Sequence, residues 1–160
     1  MTHMRVGLTI YYWEVHMRLI KEKLEAKDYH KVLDIWKRSV LATHDFLAEK
    51  DRKELETEIP TYLNYVNAYL WYKENELVGF SGTNDENLEM LFLDPQYFNK
   101  GHGTEILQYL INEENIRYVD VNKDNASAMQ FYLKNGFEKY SESPQDGQGR
   151  DYPICHLELK

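Results

Sequence analysis

The apolar positions of this chain change their period several times. In "AKDYHKVLDIWKRSV" (26–40), Tyr29, Val32, Leu33, Trp36 and Val40 recur at steps of three and four, which places them on one face of a helix. The preceding "MRLIKEKL" (17–24) alternates as a strand does. The following "ATHDFLAEKDRKELETEIPTYLNYV" (42–66) is charged and helix-prone up to Pro60, whose ring and missing N–H predict a helix that ends or kinks there. Three strand candidates then come in quick succession, "NAYLWYKE", "ELVGFSGTN" and "NLEMLFLDP", separated by the polar turns Lys73-Glu74-Asn75 and Asn84-Asp85-Glu86, and they predict an antiparallel meander. The third is nearly continuous in apolar residues over 88–93, as expected of a strand covered on both faces.

Helical period returns with Ile106, Leu107, Leu110 and Ile111, ending near Glu114, and "IRYVDV" reads as a short strand. A helix is predicted over 125–135, with Asp124 or Asn125 as N-cap and Gly136 as a left-handed stop. Closing strands around 137–142 and 153–159 flank the polar loop "SPQDGQGRDY". The first sixteen residues, "MTHMRVGLTIYYWEVH", hold an apolar patch broken by Thr9 and Glu14; it is too short to span a bilayer and no A-x-A-like cleavage site follows it. Residues 1–16 are therefore expected to be an extension or an added strand, with Leu8, Ile10 and Tyr12 on one face, and the domain proper to occupy 17–160.

With 160 residues, 42% hydrophobic and 29% charged, the chain has the size and balance of one folded domain. Its single cysteine, Cys155, permits no intramolecular disulfide, so a reducing cytoplasm is the expected compartment. The net charge of −8 disfavours nucleic acid and anionic membranes as partners and favours a cationic substrate. Cys155 lies in an apolar strand without a basic neighbour in sequence and fits a buried small hydrophobe better than a nucleophile. The six histidines are scattered and none has zinc-ligand spacing, so no metal is expected.

Candidate chemistry gathers in two stretches. In "DPQYFNKGHGTEILQYL", Gly101 and Gly103 stand between an apolar strand and a helix, where successive N–H groups and the helix N-terminus can form an anion-binding nest; the same pattern also suits a tight turn without ligand. Neither G-x-x-x-x-G-K-[ST] nor G-x-G-x-x-G is present, since Ile106 stands where the third glycine would be. In "NASAMQFYLKNGF" (125–137), Asn125 and Tyr132 are seven residues apart, at nearly the same helical azimuth and roughly 10 Å apart along the axis, with small Ala128 between them. That face could carry an extended ligand.

Together the two stretches resemble the hallmark motifs of the GCN5-related N-acetyltransferase (GNAT) superfamily, and the element order from Met17 onward fits its fold; "SVLATHDFL" (39–47) is similar to small bacterial members. The resemblance implies an α/β (α+β) domain: a mixed, mainly antiparallel sheet of six to seven strands, splayed between the fourth and fifth core strands and flanked by about four helices. It implies acetyl-CoA as co-substrate, the pantetheine arm along Met90, Leu91, Phe92 and Leu93, and the pyrophosphate on Asn99, Lys100, Gly101, His102, Gly103 and Thr104. Asn125 would hold the pantetheine arm and Tyr132 would approach the thioester sulfur and protonate the departing thiolate. The family's loop usually begins with Arg or Gln where this chain has Phe98, which puts the strength of CoA binding in question.

The implied reaction is direct attack of a primary amine on the thioester in a ternary complex. Such an amine has a pKa of about 10.4 and must lose a proton first. Glu89, on the strand beside the acetyl end, is the first candidate base, although a solvated strand carboxylate fits equally well. His44 and Asp45 in the helix-to-helix loop are the second, with a turn-capping pair as the plainer reading; with Phe46 they also form the expected acceptor-binding segment. An oxyanion donor near Leu91 would be freed by a β-bulge there. The expected acceptor is a small-molecule or peptide amine, and the expected assembly a monomer or homodimer. The rival reading is a non-catalytic acyl-CoA sensor on the same fold; a third, an ATP-binding α/β domain, lacks the lysine–hydroxyl pair it needs.

Overall fold

The computed structural model describes residues 19–160, so the predicted 1–16 extension lies outside the described residues. β1 (Leu19–Lys23) leads through a 3-10 turn into α1 (Tyr29–Thr43) and α2 (Glu49–Leu63), followed by the meander β2 (Asn67–Lys73), β3 (Glu76–Asn84) and β4 (Asn87–Leu93). Then come α3 (His102–Glu114), β5 (Tyr118–Asn122), α4 (Ala126–Lys134), β6 (Phe137–Ser143) and β7 (Ile154–Leu159). The seven strands form one sheet in the order β1-β2-β3-β4-β5-β7-β6. All pairings are antiparallel except β4 with β5, which run parallel and pair only at Asn87↔Tyr118 and Leu88↔Val119. Beyond Leu88 the two strands part, and that edge of β4 has no strand partner among the described residues.

Alternation along the strands divides the core between the two sheet faces. One cluster joins Leu88, Val119, Val121 and Leu157 to Ile106, Leu107 and Leu110 of α3, with Leu91 and Leu93 packed against it. The other joins Leu70 and Phe80 to Val32, Ile35 and Trp36 of α1, with Met90 and Phe92 packed against it. β4 is thus apolar on both sides because each side meets a different cluster, as its sequence predicted. The buried indole of Trp71 donates to Ser81 Oγ at 2.9 Å, so burying these polar groups leaves neither unsatisfied.

Two details differ from expectation. Pro60 lies inside α2 and does not end it. Its missing N–H leaves the Glu56 carbonyl without its intrahelical donor, a single lost bond, and buried Ile59 and Leu63 on either side anchor this turn to the second cluster. The β-bulge in β4 falls at Glu89: Thr83 pairs with Leu88 and Gly82 with Met90, leaving Glu89 as the extra residue, two positions before Leu91. Among the described residues, no helix is long and apolar enough to cross a membrane.

Candidate active site

A cavity of about 580 Å³ opens where β4 leaves β5. Its walls come from the free end of β4 (Leu91, Phe92, Leu93), the turn into α3, the inner face of α4 and the C-terminal end of α1. At the turn, Asn99 and Gly101 both take left-handed backbone angles, φ 60° and 86°. Gly101 is the N-cap of α3 and a Cβ there would meet no atom within 4 Å, so glycine serves backbone freedom and leaves the mouth open. Gly103 is small for a different reason, since it lies within α3 and a Cβ would press the Phe131 ring at 3.3 Å. The turn is held to α1 by Asp94, a buried carboxylate that accepts from Gln96 N at 3.3 Å and from Arg38 Nη1 at 2.5 Å.

On α4, Asn125 and Tyr132 both line the cavity, as their spacing on one helical face suggested. Asn125 is also the N-cap: its Oδ1 accepts from Ala128 N at 3.1 Å and from Ser127 Oγ at 3.2 Å. The cap fixes the amide orientation, so Nδ2 is the group turned to other partners. Tyr132 is buried between Phe131 and Phe137, and burial pushes its phenol above the ordinary tyrosine range.

His44 enters the same cavity from the end of α1, 81 positions before Asn125. Its Nε2 lies 3.3 Å from Asn125 Nδ2, and its Nδ1 lies 2.7 Å from Thr43 Oγ1. The Thr43 hydroxyl donates its proton to Ser39 O, so it accepts from Nδ1–H, and Nε2 carries the lone pair. Burial lowers the His44 pKa below the ordinary histidine value, with Asp45 opposing, so the ring is neutral at neutral pH.

Glu89, Asp45, Phe46, Met90, Lys100 and His102 are not among the residues that line the cavity. Glu89 is the extra residue of the bulge and is exposed on β4; partial desolvation, and then Asp120 nearby, raise its pKa. Asp45 and Phe46 are also off the cavity wall, although the Phe46 ring centroid is 5.1 Å from that of His44. Met90 faces the second core cluster, and Lys100 lies 5.9 Å above the Tyr97 ring. His102 is buried against Tyr97, so its backbone serves the turn while its ring packs inward. Phe98 lines the cavity where the resemblance led one to expect a polar side chain.

Sequence reasoning passed over Ser39, Thr43, Phe131 and Lys134, all of which line the cavity. Lys134 could have been flagged by its place near the end of the Asn125–Tyr132 helix. Cys155 is buried and its thiol pKa is raised by burial, as suits a packing residue. Among the described residues, no group of three or more His, Cys, Asp or Glu is placed to hold a metal ion.

An open strand edge, a left-handed turn at a helix N-terminus and a polar helix face along one cavity define an α/β domain that can receive a long, phosphate-bearing ligand. The family model of the acetyltransferase (GNAT) domain matches residues 65–139. The chain is 35% identical over 130 residues to the peptidyl-lysine N-acetyltransferase YjaB of Salmonella typhimurium, covering 79% of this chain and 88% of that protein. The solution structure of apo-form YjaB from Escherichia coli superposes with a TM-score of 0.80 at 28% identity, covering 88% of this chain and 97% of the other. The fold is also that of the PaiA N-acetyltransferase from Thermoplasma acidophilum, crystallised in complex with coenzyme A, with a TM-score of 0.68 at 21% identity over 89% of this chain and 98% of the other. The chain belongs to the GNAT family and is an acetyltransferase.

Proposed function

We propose that this protein transfers the acetyl group of acetyl-CoA to the side-chain amine of a lysine in a peptide or protein, by direct attack within a ternary complex. The observation that carries the reading is the convergence of His44, Asn125 and Tyr132 on one cavity beside the unpaired edge of β4. The lysine acceptor is supported by the relatives named peptidyl-lysine N-acetyltransferase. On this reading the catalytic domain spans residues 17–160.

The residues fit the co-substrate. Along 91–93 the backbone groups of alternate residues point away from β3, with no strand across from them among the described residues, and can bond an amide-bearing arm as a further strand would; the turn at Gly101 offers backbone donors to a pyrophosphate. Among the described residues, Lys134 is the one lysine on the cavity wall, and it supplies positive charge that Phe98 does not. When bound, acetyl-CoA supplies an activated acyl group on a fair leaving group, a thiol of pKa about 8.5.

His44 Nε2 is the proton acceptor in this scheme. Its lone pair faces the Asn125 amide, and a neutral ring is required to take a proton from the incoming ammonium. Asn125 Nδ2 then donates to the pantetheine arm in place of His44. Tyr132, protonated at all working pH values, donates to the departing thiolate. Glu89, near Asp120, is left to attract the cationic acceptor.

The test is a thiol-release assay with acetyl-CoA and a panel of amines that includes lysine peptides, polyamines and aminoglycosides, run beside calorimetry with CoA. Release dependent on lysine peptide is the expected result. Binding of CoA without thiol release from any amine would reduce the domain to a sensor.

A further inference from the structure

The loop 144–153 between β6 and β7 is tied to α2 by Gln148, whose Nε2 donates to the Tyr62 hydroxyl at 3.1 Å, by Tyr152, and most extensively by the largely buried cation Arg150. Arg150 Nη2 donates to Glu58 Oε1 at 2.9 Å and Glu54 Oε2 at 3.3 Å, Nη1 donates to Asp146 Oδ2 at 3.3 Å, and Nε lies 3.9 Å from Asp51 Oδ1. The Arg150 side chain is only 12% exposed. Asp51, Glu54 and Glu58 follow at steps of three and four, so α2 presents them as one stripe. Four carboxylates around one guanidinium would repel each other without it, and the second oxygen of Glu58 is already buried without a partner among the described residues. Asp146 Oδ1 also accepts from the backbone N–H of Gln148 and Arg150, at 2.9 and 2.8 Å, which folds the loop around the same carboxylate.

Two residues further on, Tyr152 extends the latch toward the cavity. Its hydroxyl donates to Asp51 Oδ2 at 2.5 Å and accepts from Ala48 N at 3.0 Å. Its ring meets Phe46, centroids 6.4 Å apart, and Phe46 in turn meets His44. A continuous chain of contacts therefore runs from the Arg150 guanidinium to the imidazole in the cavity.

We propose that Arg150 and Tyr152 are positioning residues for acetyl transfer: the loop 144–153, latched to the acidic stripe of α2, holds residues 44–48 so that the His44 ring stays beside Asn125. The inference rests on His44 being the proton acceptor. Among the described residues, Asp45 next to His44 in the chain is the charge that acts on it, Tyr132 and Lys134 line the same cavity, and Tyr152 with Asp51 lies behind Phe46.

The test compares Tyr152→Phe, Arg150→Met, Arg150→Lys and His44→Gln by kcat against pH, acetyl-CoA affinity and thermal melting. Tyr152→Phe removes only the hydroxyl; it should bind acetyl-CoA as the wild type does, lose about tenfold in kcat, and show its acidic limb moved up toward the ordinary histidine value as water reaches the ring. Arg150→Met should repeat this more strongly, and Arg150→Lys should recover part of it. Should Arg150→Met fail to fold, Tyr152→Phe still decides. A wild-type kcat and pH profile in Tyr152→Phe, with His44→Gln inactive, overturns the latch alone. Full activity in His44→Gln overturns the base assignment, and the latch with it.

Discussion

Tyr132 and His44 face the same cavity with opposite proton inventories, since burial holds the phenol protonated and the imidazole neutral. Tyr132→Phe should lower kcat by about tenfold to a hundredfold, less than a general acid can give at its best because the thiol leaves readily, and should change acetyl-CoA affinity little. Turnover equal to wild type would remove Tyr132 from the acid role. The base must be neutral, so kcat/KM should fall with decreasing pH through a limb below about 6.5. His44→Gln should abolish that limb along with most of the rate. Tyr132 and Asn125 were legible in the sequence because one helix carries both at a fixed azimuth. The nearness of His44 to Asn125 was not, because it joins positions 81 apart through a fold that only long-range packing creates. Glu89 was the natural first candidate on a regular strand; it stands at a one-residue bulge and is not among the residues that line the cavity, and the bulge could not be read from the sequence.

Among the helices and turns, the entry into α3 acts through backbone angle and anchoring. Gly101→Ala places a Cβ at φ 86°, which costs roughly 1–2 kcal/mol if the turn keeps its shape and distorts the turn, and with it the proposed pyrophosphate site, if it does not. Calorimetry should show weaker CoA binding with the melting temperature lowered. Lys134→Met should weaken CoA binding by about threefold to tenfold and flatten its salt dependence, as expected for loss of one partly screened phosphate contact. Equal affinity and an unchanged salt slope would assign the pyrophosphate to the backbone nest alone. The element order was readable because each change of hydrophobic period coincides with Pro, Gly, Asn or Asp. Continuation of α2 past Pro60 was not readable, since it depends on where Ile59 and Leu63 pack. The role of Arg150 was hidden for a similar reason: a single cation in a polar loop looks solvated until α2 brings its carboxylates to it.

Across the fold, two core clusters on opposite faces of one sheet hold the cleft open. They cover β4 from both sides while β5 leaves it after two residues. The continuous apolar run of β4 announced this double cover, and the paired motifs announced the family. The neutral His44 ring couples the cleft to global stability. Its pKa is lower folded than unfolded, so its contribution is complete above about 6.5 and is lost as pH falls toward the folded value. Thermal melts from about pH 7.5 to about 5.5 should therefore show a larger fall for the wild type than for His44→Gln. Direct transfer from acetyl-CoA to a lysine amine can be followed by intact-mass spectrometry of protein and lysine peptide together during turnover. One acetyl group gained on the peptide lysine, while the protein's mass stays unchanged, is the predicted result. An acetylated protein that passes its acetyl group to the peptide, or a peptide that stays unmodified while CoA binds, would contradict it.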